Sequence, residues 1–163
     1  MTNLAARAAY AGAVLFVVLI VYSLLGIDQP STPLFIAMGV VGAASHLVLL
    51  PVVAAMPAPE WARAAGYGWL VIDTMLSVAS VNGLDPNLAG MLRLGGHASS
   101  ALWMATVAQQ SRGAVRAIGW PLAAVLMFHA VGARWIPTWV SFPPFVTIPV
   151  WLVFIGRSLQ RRP

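Results

Sequence analysis

The chain has no cysteine and no lysine, and only four acidic residues among its 163: Asp28, Glu60, Asp73 and Asp85. Without cysteine there can be no disulfide, no thiolate metal site and no CxxC redox chemistry, while the compartment stays open. Four scattered acids cannot supply the clustered carboxylates by which isoprenoid-diphosphate enzymes hold magnesium, and no DxxxD pattern occurs. P-loop, HExxH and GxSxG motifs are absent as well. Charged residues make up 8% of the chain, against about 25% in soluble domains, whose surfaces must be hydrated. A surface so poor in charge is solvated only by lipid.

What the chain does have is apolar sequence in long runs. Apolar residues account for 60% of it, with a mean hydropathy of +0.85. Roughly 17–25 apolar residues suffice to cross a bilayer as a helix. Six such runs are expected, at 8–25, 34–56, 66–81, 88–109, 117–133 and 138–155, separated by Gly-, Pro- and Asp-rich turns. The fold class is therefore all-α: a polytopic membrane helix bundle in one domain. Arg7 with the first run resembles a signal peptide, but the run exceeds the usual h-region of about 7–15 residues and no small-x-small cleavage pattern precedes Ile27. It reads as the first span. Pro143, Pro144 and Pro149 withdraw helix hydrogen bonds from the sixth, which predicts a kinked or partly unwound segment.

The nine basic residues are all arginines, giving a net charge of +5 and a pI near 11.2. In a soluble protein that balance would suggest nucleic acid. Here the arginines stand singly at the ends of apolar runs, so they read as topological anchors and nucleic acid is not an expected partner. With the N-terminus in the cytoplasm, the inner segments hold Arg7, Arg63, Arg112, Arg116, Arg157, Arg161 and Arg162, and the outer ones only Arg134. Both termini are therefore expected in the cytoplasm, and the Arg-only, Ala- and Pro-rich usage points to a bacterial inner membrane. Trp61, Trp69 and Trp120 fall near the inner interface on this scheme, Trp135 and Trp139 near the outer one. Partners are the lipid bilayer, a small lipophilic molecule, and further copies of the chain or a larger membrane complex.

Residues costly to place in hydrocarbon carry the functional information: His46, Asp73, Arg93, His97 and His129. Asp73, Ser77 and Ser80 share one helix face by spacing, and Arg93, His97 and Ser100 share another. Helices joined by so short a loop bring these stripes together. Asp73 is a candidate proton carrier, cation site or general acid; its ordinary alternative is a hydrogen bond to Trp103 or Thr106. Counting about 1.5 Å per residue puts Asp73 roughly 10 Å and Arg93 roughly 24 Å from the inner end, which argues against a direct ion pair. The same count gathers His46, His97 and His129 into one layer near mid-membrane. Three imidazoles at one depth would suit a metal, or two of them haem iron, though histidine also serves as plain interhelical glue. His46 and His97 are expected to face inward with at most two histidines sharing a site and no three-histidine metal centre; His129 has no polar stripe to orient it. Gly39 with Ala43, Gly95 with Ser99 and Gly96 with Ser100 are small-xxx-small pairs that bring helices close. The tract from Trp135 to Phe145 could form an aromatic mouth, or simply an interfacial belt.

Four functions fit. The leading one is a binding or accessory protein with a polar intramembrane pocket for a small lipophilic ligand or cofactor, held by His46, Ser77, Arg93 and Ser100. The others are a lipid- or isoprenoid-modifying enzyme using Asp73 and His97 as acid and base, a proton- or cation-coupled transporter, and a b-type haem protein. The identity of the cofactor is left open.

Overall fold

A computed structural model describes residues 2–25, 32–133, 135 and 142–161. Seven helices make up the described chain: α1 (Thr2–Leu24), α2 (Pro33–Leu47), α3 (Leu50–Ala55), α4 (Glu60–Val81), α5 (Pro86–Gln110), α6 (Gly113–Gly132) and α7 (Phe142–Gln160). The fold is a helix bundle, and no strand occurs among the described residues. Four stretches within them are long and apolar enough to cross a membrane: Asn3–Leu24, Pro33–Ala55, Glu60–Val81 and Gly113–Gly132. The second of these is α2 and α3 together. They part at Val48 and Leu49 because the ring nitrogen of Pro51 cannot donate to the carbonyl of Leu47, and Leu49 N turns instead to His46 O at 3.0 Å.

Helix starts follow local chemistry. Thr32 Oγ1 accepts from Phe35 N at 3.1 Å, and Asp85 Oδ1 accepts from Asn87 N and Leu88 N, each at 3.0 Å. Pro33 and Pro86 follow directly, at first positions where a missing N–H costs nothing. Gly83 leaves α4 with φ +88°, a left-handed conformation that glycine takes without strain. Asp28 lies outside the described residues.

In the last span, only the unwinding expected at Pro143 and Pro144 needs correction. Its helix runs from Phe142 to Gln160 without interruption. Pro143 and Pro144 occupy the first turn, where proline is tolerated. Only Pro149 stands in the interior, where it deprives the carbonyl of Phe145 of a donor.

Each long helix packs on its neighbours in order, α1–α2–α4–α5–α6–α7, and α7 closes on α1. The bundle is a ring of six long helices, with α3 laid against α1 and α4. Its two ends differ. Around the N-terminus of α1 the interior is solid: Ala9, Leu49, Val52, Val53, Met56, Trp103, Met104, Val107, Trp151, Ile155 and Leu159 are buried there. Tryptophans organise that end. Trp69 and Trp103 lie 6.0 Å apart, Trp103 and Trp151 5.6 Å apart, and Trp151 Nε1 donates to Val115 O at 2.9 Å. Trp69 is thus a core residue rather than the interfacial anchor expected; Trp61, Trp120 and Trp135 are exposed. Outward faces are apolar, with Val14, Val40, Met75, Phe128 and Val131 uncovered, as a lipid-facing surface requires.

Candidate functional site: a polar-floored cavity

The other half of the ring is hollow. A cavity of about 1000 Å³ lies between α1, α2, α4, α5, α6 and α7, toward the end that carries the α4–α5 turn. The eight polar residues singled out from the sequence line it: His46, Asp73, Ser77, Ser80, Arg93, His97, Ser100 and His129. Phe16, Leu19, Phe35, Met38, Phe145 and Ile148 form apolar wall.

Glycines let the polar groups converge. A Cβ on Gly42 would stand 2.8 Å from Ser77 Oγ, so α2 reaches α4 only because none is there. A Cβ on Gly96 would stand 3.3 Å from Asp73 Oδ1, so the backbone of α5 passes directly beside that carboxylate. Gly39 packs against Val81 in the same way.

Asp73 is the hub, buried at 5% exposure. Its Oδ2 faces His46 Nε2 at 3.4 Å and its Oδ1 faces Arg93 Nε at 3.7 Å. Both distances exceed a good N–H···O hydrogen bond, so the attraction is mainly Coulombic. The Asp73–Arg93 pair overturns the depth argument. That argument started α4 at residue 66, whereas the helix begins at Glu60. Asp73 is then about 20 Å along it, and the long arginine side chain spans the remaining offset. Trp103 and Thr106 do not hold Asp73. Thr106 Oγ1 donates to Leu102 O at 2.8 Å, and Trp103 Nε1 has no hydrogen-bond partner among the described residues.

His46 is clamped. Its ring meets Phe16 edge-on at 5.4 Å and Trp69 at 5.7 Å. Its Nδ1 lies 2.8 Å from Gly42 O, and a carbonyl only accepts, so Nδ1 carries a proton. The other ring nitrogen, Nε2, is the one that faces Asp73 Oδ2.

His97 and His129 form a second pair, with Nδ1 atoms 3.3 Å apart and ring centroids 5.4 Å apart. One ring donates and the other accepts, so the accepting ring, if neutral, carries its proton on Nε2. His97 therefore pairs with His129, and Asp73 with His46 and Arg93. His129 had no stripe to announce it; only its depth, shared with the other two histidines, marked it. Among the described residues no three His, Asp or Glu side chains converge as a metal ion would need. Ser77 and Ser100 donate back to Asp73 O and His97 O, at 2.8 and 2.9 Å. Their oxygens remain as acceptors on the wall. Pro144 and Phe145 of the expected aromatic mouth also line the cavity, whereas residues 136–141 lie outside the described chain.

Searches against protein-family profiles, curated proteins and solved structures find nothing that matches this chain.

Proposed function

We propose that the chain is an integral protein of a bacterial inner membrane that holds a small lipophilic ligand or cofactor in the cavity of its ring, as a binding or accessory subunit. One observation carries the reading: a space of about 1000 Å³ with apolar walls and a few convergent polar groups at its floor. Ligand pockets occupy about 300–1,000 Å³ and combine apolar lining with a small number of orienting polar groups. The polar groups here sit on long helices and brace one another, which gives the floor a fixed shape.

The test is extraction. Solvent extracts of the purified protein, read by mass spectrometry, should contain a stoichiometric lipophilic species. Gly90 borders the cavity, and a Cβ there meets nothing within 4 Å. The G90F variant should fold and lose the species. An extract with only the bulk lipid profile, unchanged by G90F, would remove the reading.

Orientation follows from the arginines. Both termini lie in the cytoplasm, and the hollow half then faces outward. Reporter fusions after Gly83, Gly113 and Pro163 should read outside, inside and inside. An external signal at Pro163 would mean that one of the six long helices does not cross.

A proton- or cation-coupled transporter is the second reading, favoured by the buried carboxylate of Asp73 facing His46 and Arg93 on the cavity wall. Flux into proteoliposomes that depends on a proton gradient and is lost in D73N would bring it to the front.

A further inference from the structure

Among the described residues Asp73 is the only carboxylate on the wall, and both of its oxygens are turned to His46 and Arg93. Arg93 is not satisfied in return. Nε is the nitrogen that approaches Asp73, at 3.7 Å, and the guanidinium makes no hydrogen bond with any described residue. The side chain is 46% exposed and stands on the cavity wall, so its Nη edge is free to meet an occupant. A guanidinium carries five donors and cannot be neutralised, and in a low-dielectric setting it needs a counter-charge beyond one distant carboxylate oxygen. His97 and His129 lie on the same wall, with their Nδ1 atoms 3.3 Å apart.

We infer that the occupant is an amphiphile with an oxyanion head group, a carboxylate or phosphate, seated on the Nη edge of Arg93 beside the His97–His129 pair. The inference rests on the lipophilic-pocket reading above and adds the chemical class of the head. Two parallel N–H···O bonds from one guanidinium match the two oxygens of such a head, and charge-assisted bonds of this kind are about twice as strong as neutral ones. Repulsion from Asp73 is limited, because that carboxylate is buried and turned to His46 and Arg93. The apolar tail lies along Phe16, Phe35 and Phe145. The seams on that side, α1–α2 and α6–α7, are more thinly packed than α1–α7 or α5–α6, which gives a long tail a way into the bilayer.

Bromine quenches tryptophan at short range, and Trp69 lines the floor of the cavity. The experiment titrates the purified full chain, in neutral detergent, with three probes: 9,10-dibromostearic acid, its methyl ester, and a dibromostearoyl lysophosphatidic acid. At least one oxyanion probe should quench saturably and bind at least about tenfold more tightly than the ester. The tighter of the two identifies the source, a fatty acid or a phospholipid head. R93Q should bring the oxyanion probes to the level of the ester and leave the ester unchanged. R93K, which keeps the charge but loses the fork, should fall between. Equal saturable binding of acid and ester would overturn the oxyanion inference and keep the pocket. Preference for the acid that survives R93Q would overturn it as well. No saturable quenching by any probe would remove the pocket reading and this inference together.

Discussion

Replacing Asp73 with alanine should destabilise the purified bundle by about 3 kcal/mol, as measured by unfolding in mixed detergent–SDS micelles. An ordinary interhelical hydrogen bond in a membrane protein contributes only about 0.6 kcal/mol, since the separated helices find other partners. Asp73 is different for two reasons. It joins three helices, α2 through His46, its own α4, and α5 through Arg93. Its removal also leaves polar groups without the partner that justified their burial, and the loss of one member of a buried pair costs more than the pair is worth. His46 suffers most, for it is 8% exposed and clamped between Phe16 and Trp69 with nowhere to turn. Arg93 is half-exposed and can swing into the cavity. A double-mutant cycle separates these contributions. D73L with H46F replaces the pair by apolar groups, and the double variant should be markedly less destabilised than the sum of the singles. Additive losses would show that His46 and Asp73 do not act as a pair. R93Q alone should cost under about 1 kcal/mol, as expected of an exposed ion pair.

Faces were legible in the sequence and depths were not. Helical spacing is a strict consequence of 3.6 residues per turn, so Asp73–Ser77–Ser80 and Arg93–His97–Ser100 could be assigned to facing stripes from numbering alone. They line one cavity. Depth depends on where each helix begins, and hydropathy marks the part of a helix that sits in lipid rather than the helix itself. Thus α1 starts at Thr2 and not at residue 8, with the small residues Ala5 and Ala6 buried in its extra turns, and α4 starts at Glu60. Six residues of error at Glu60 are enough to hide the Asp73–Arg93 contact. Proline and tryptophan misled for a related reason, in that their meaning changes with position. Pro143 and Pro144 read as a break when counted inside a span and as a start signal when they open one. Trp69 read as an interfacial ring because it lies near a helix end in the sequence, yet the ring of helices turns it inward onto His46 and Trp103. The cavity itself had no signature. Its walls are Phe, Leu and Met like those of any packed core, and emptiness arises from how helices splay, which periodicity does not encode.

Glycine substitutions should divide sharply by what stands opposite each one. At Gly156 a Cβ would lie 2.8, 2.9 and 3.1 Å from three carbons of the Tyr10 ring. That ring cannot swing away freely, because Tyr10 Oη donates to Gln160 Oε1 at 3.0 Å on the same helix as Gly156. At Gly119 a Cβ would lie 2.9 Å from Ala108 Cβ and 2.9 Å from Trp151 Nε1, the atom that donates to Val115 O. G156L and G119L therefore wedge apart α1 from α7 and α5 from α6, at the solid end of the bundle, and each should cost about 2–3 kcal/mol. Gly95 has nothing within 4 Å. The Gly95–Ser99 pair matched the small-xxx-small pattern as well as Gly96–Ser100 did, but one residue of helix is about 100° of rotation, and only Gly96 looks at Asp73. G95A should therefore be neutral, or stabilising by up to about 1 kcal/mol through helix propensity. The measurement is the same SDS unfolding titration, with far-ultraviolet circular dichroism on all three variants. If G95A loosened the bundle as much as G156L, then Gly95 would face a neighbour that the monomer lacks, and a second copy of the chain across that face would have to supply it.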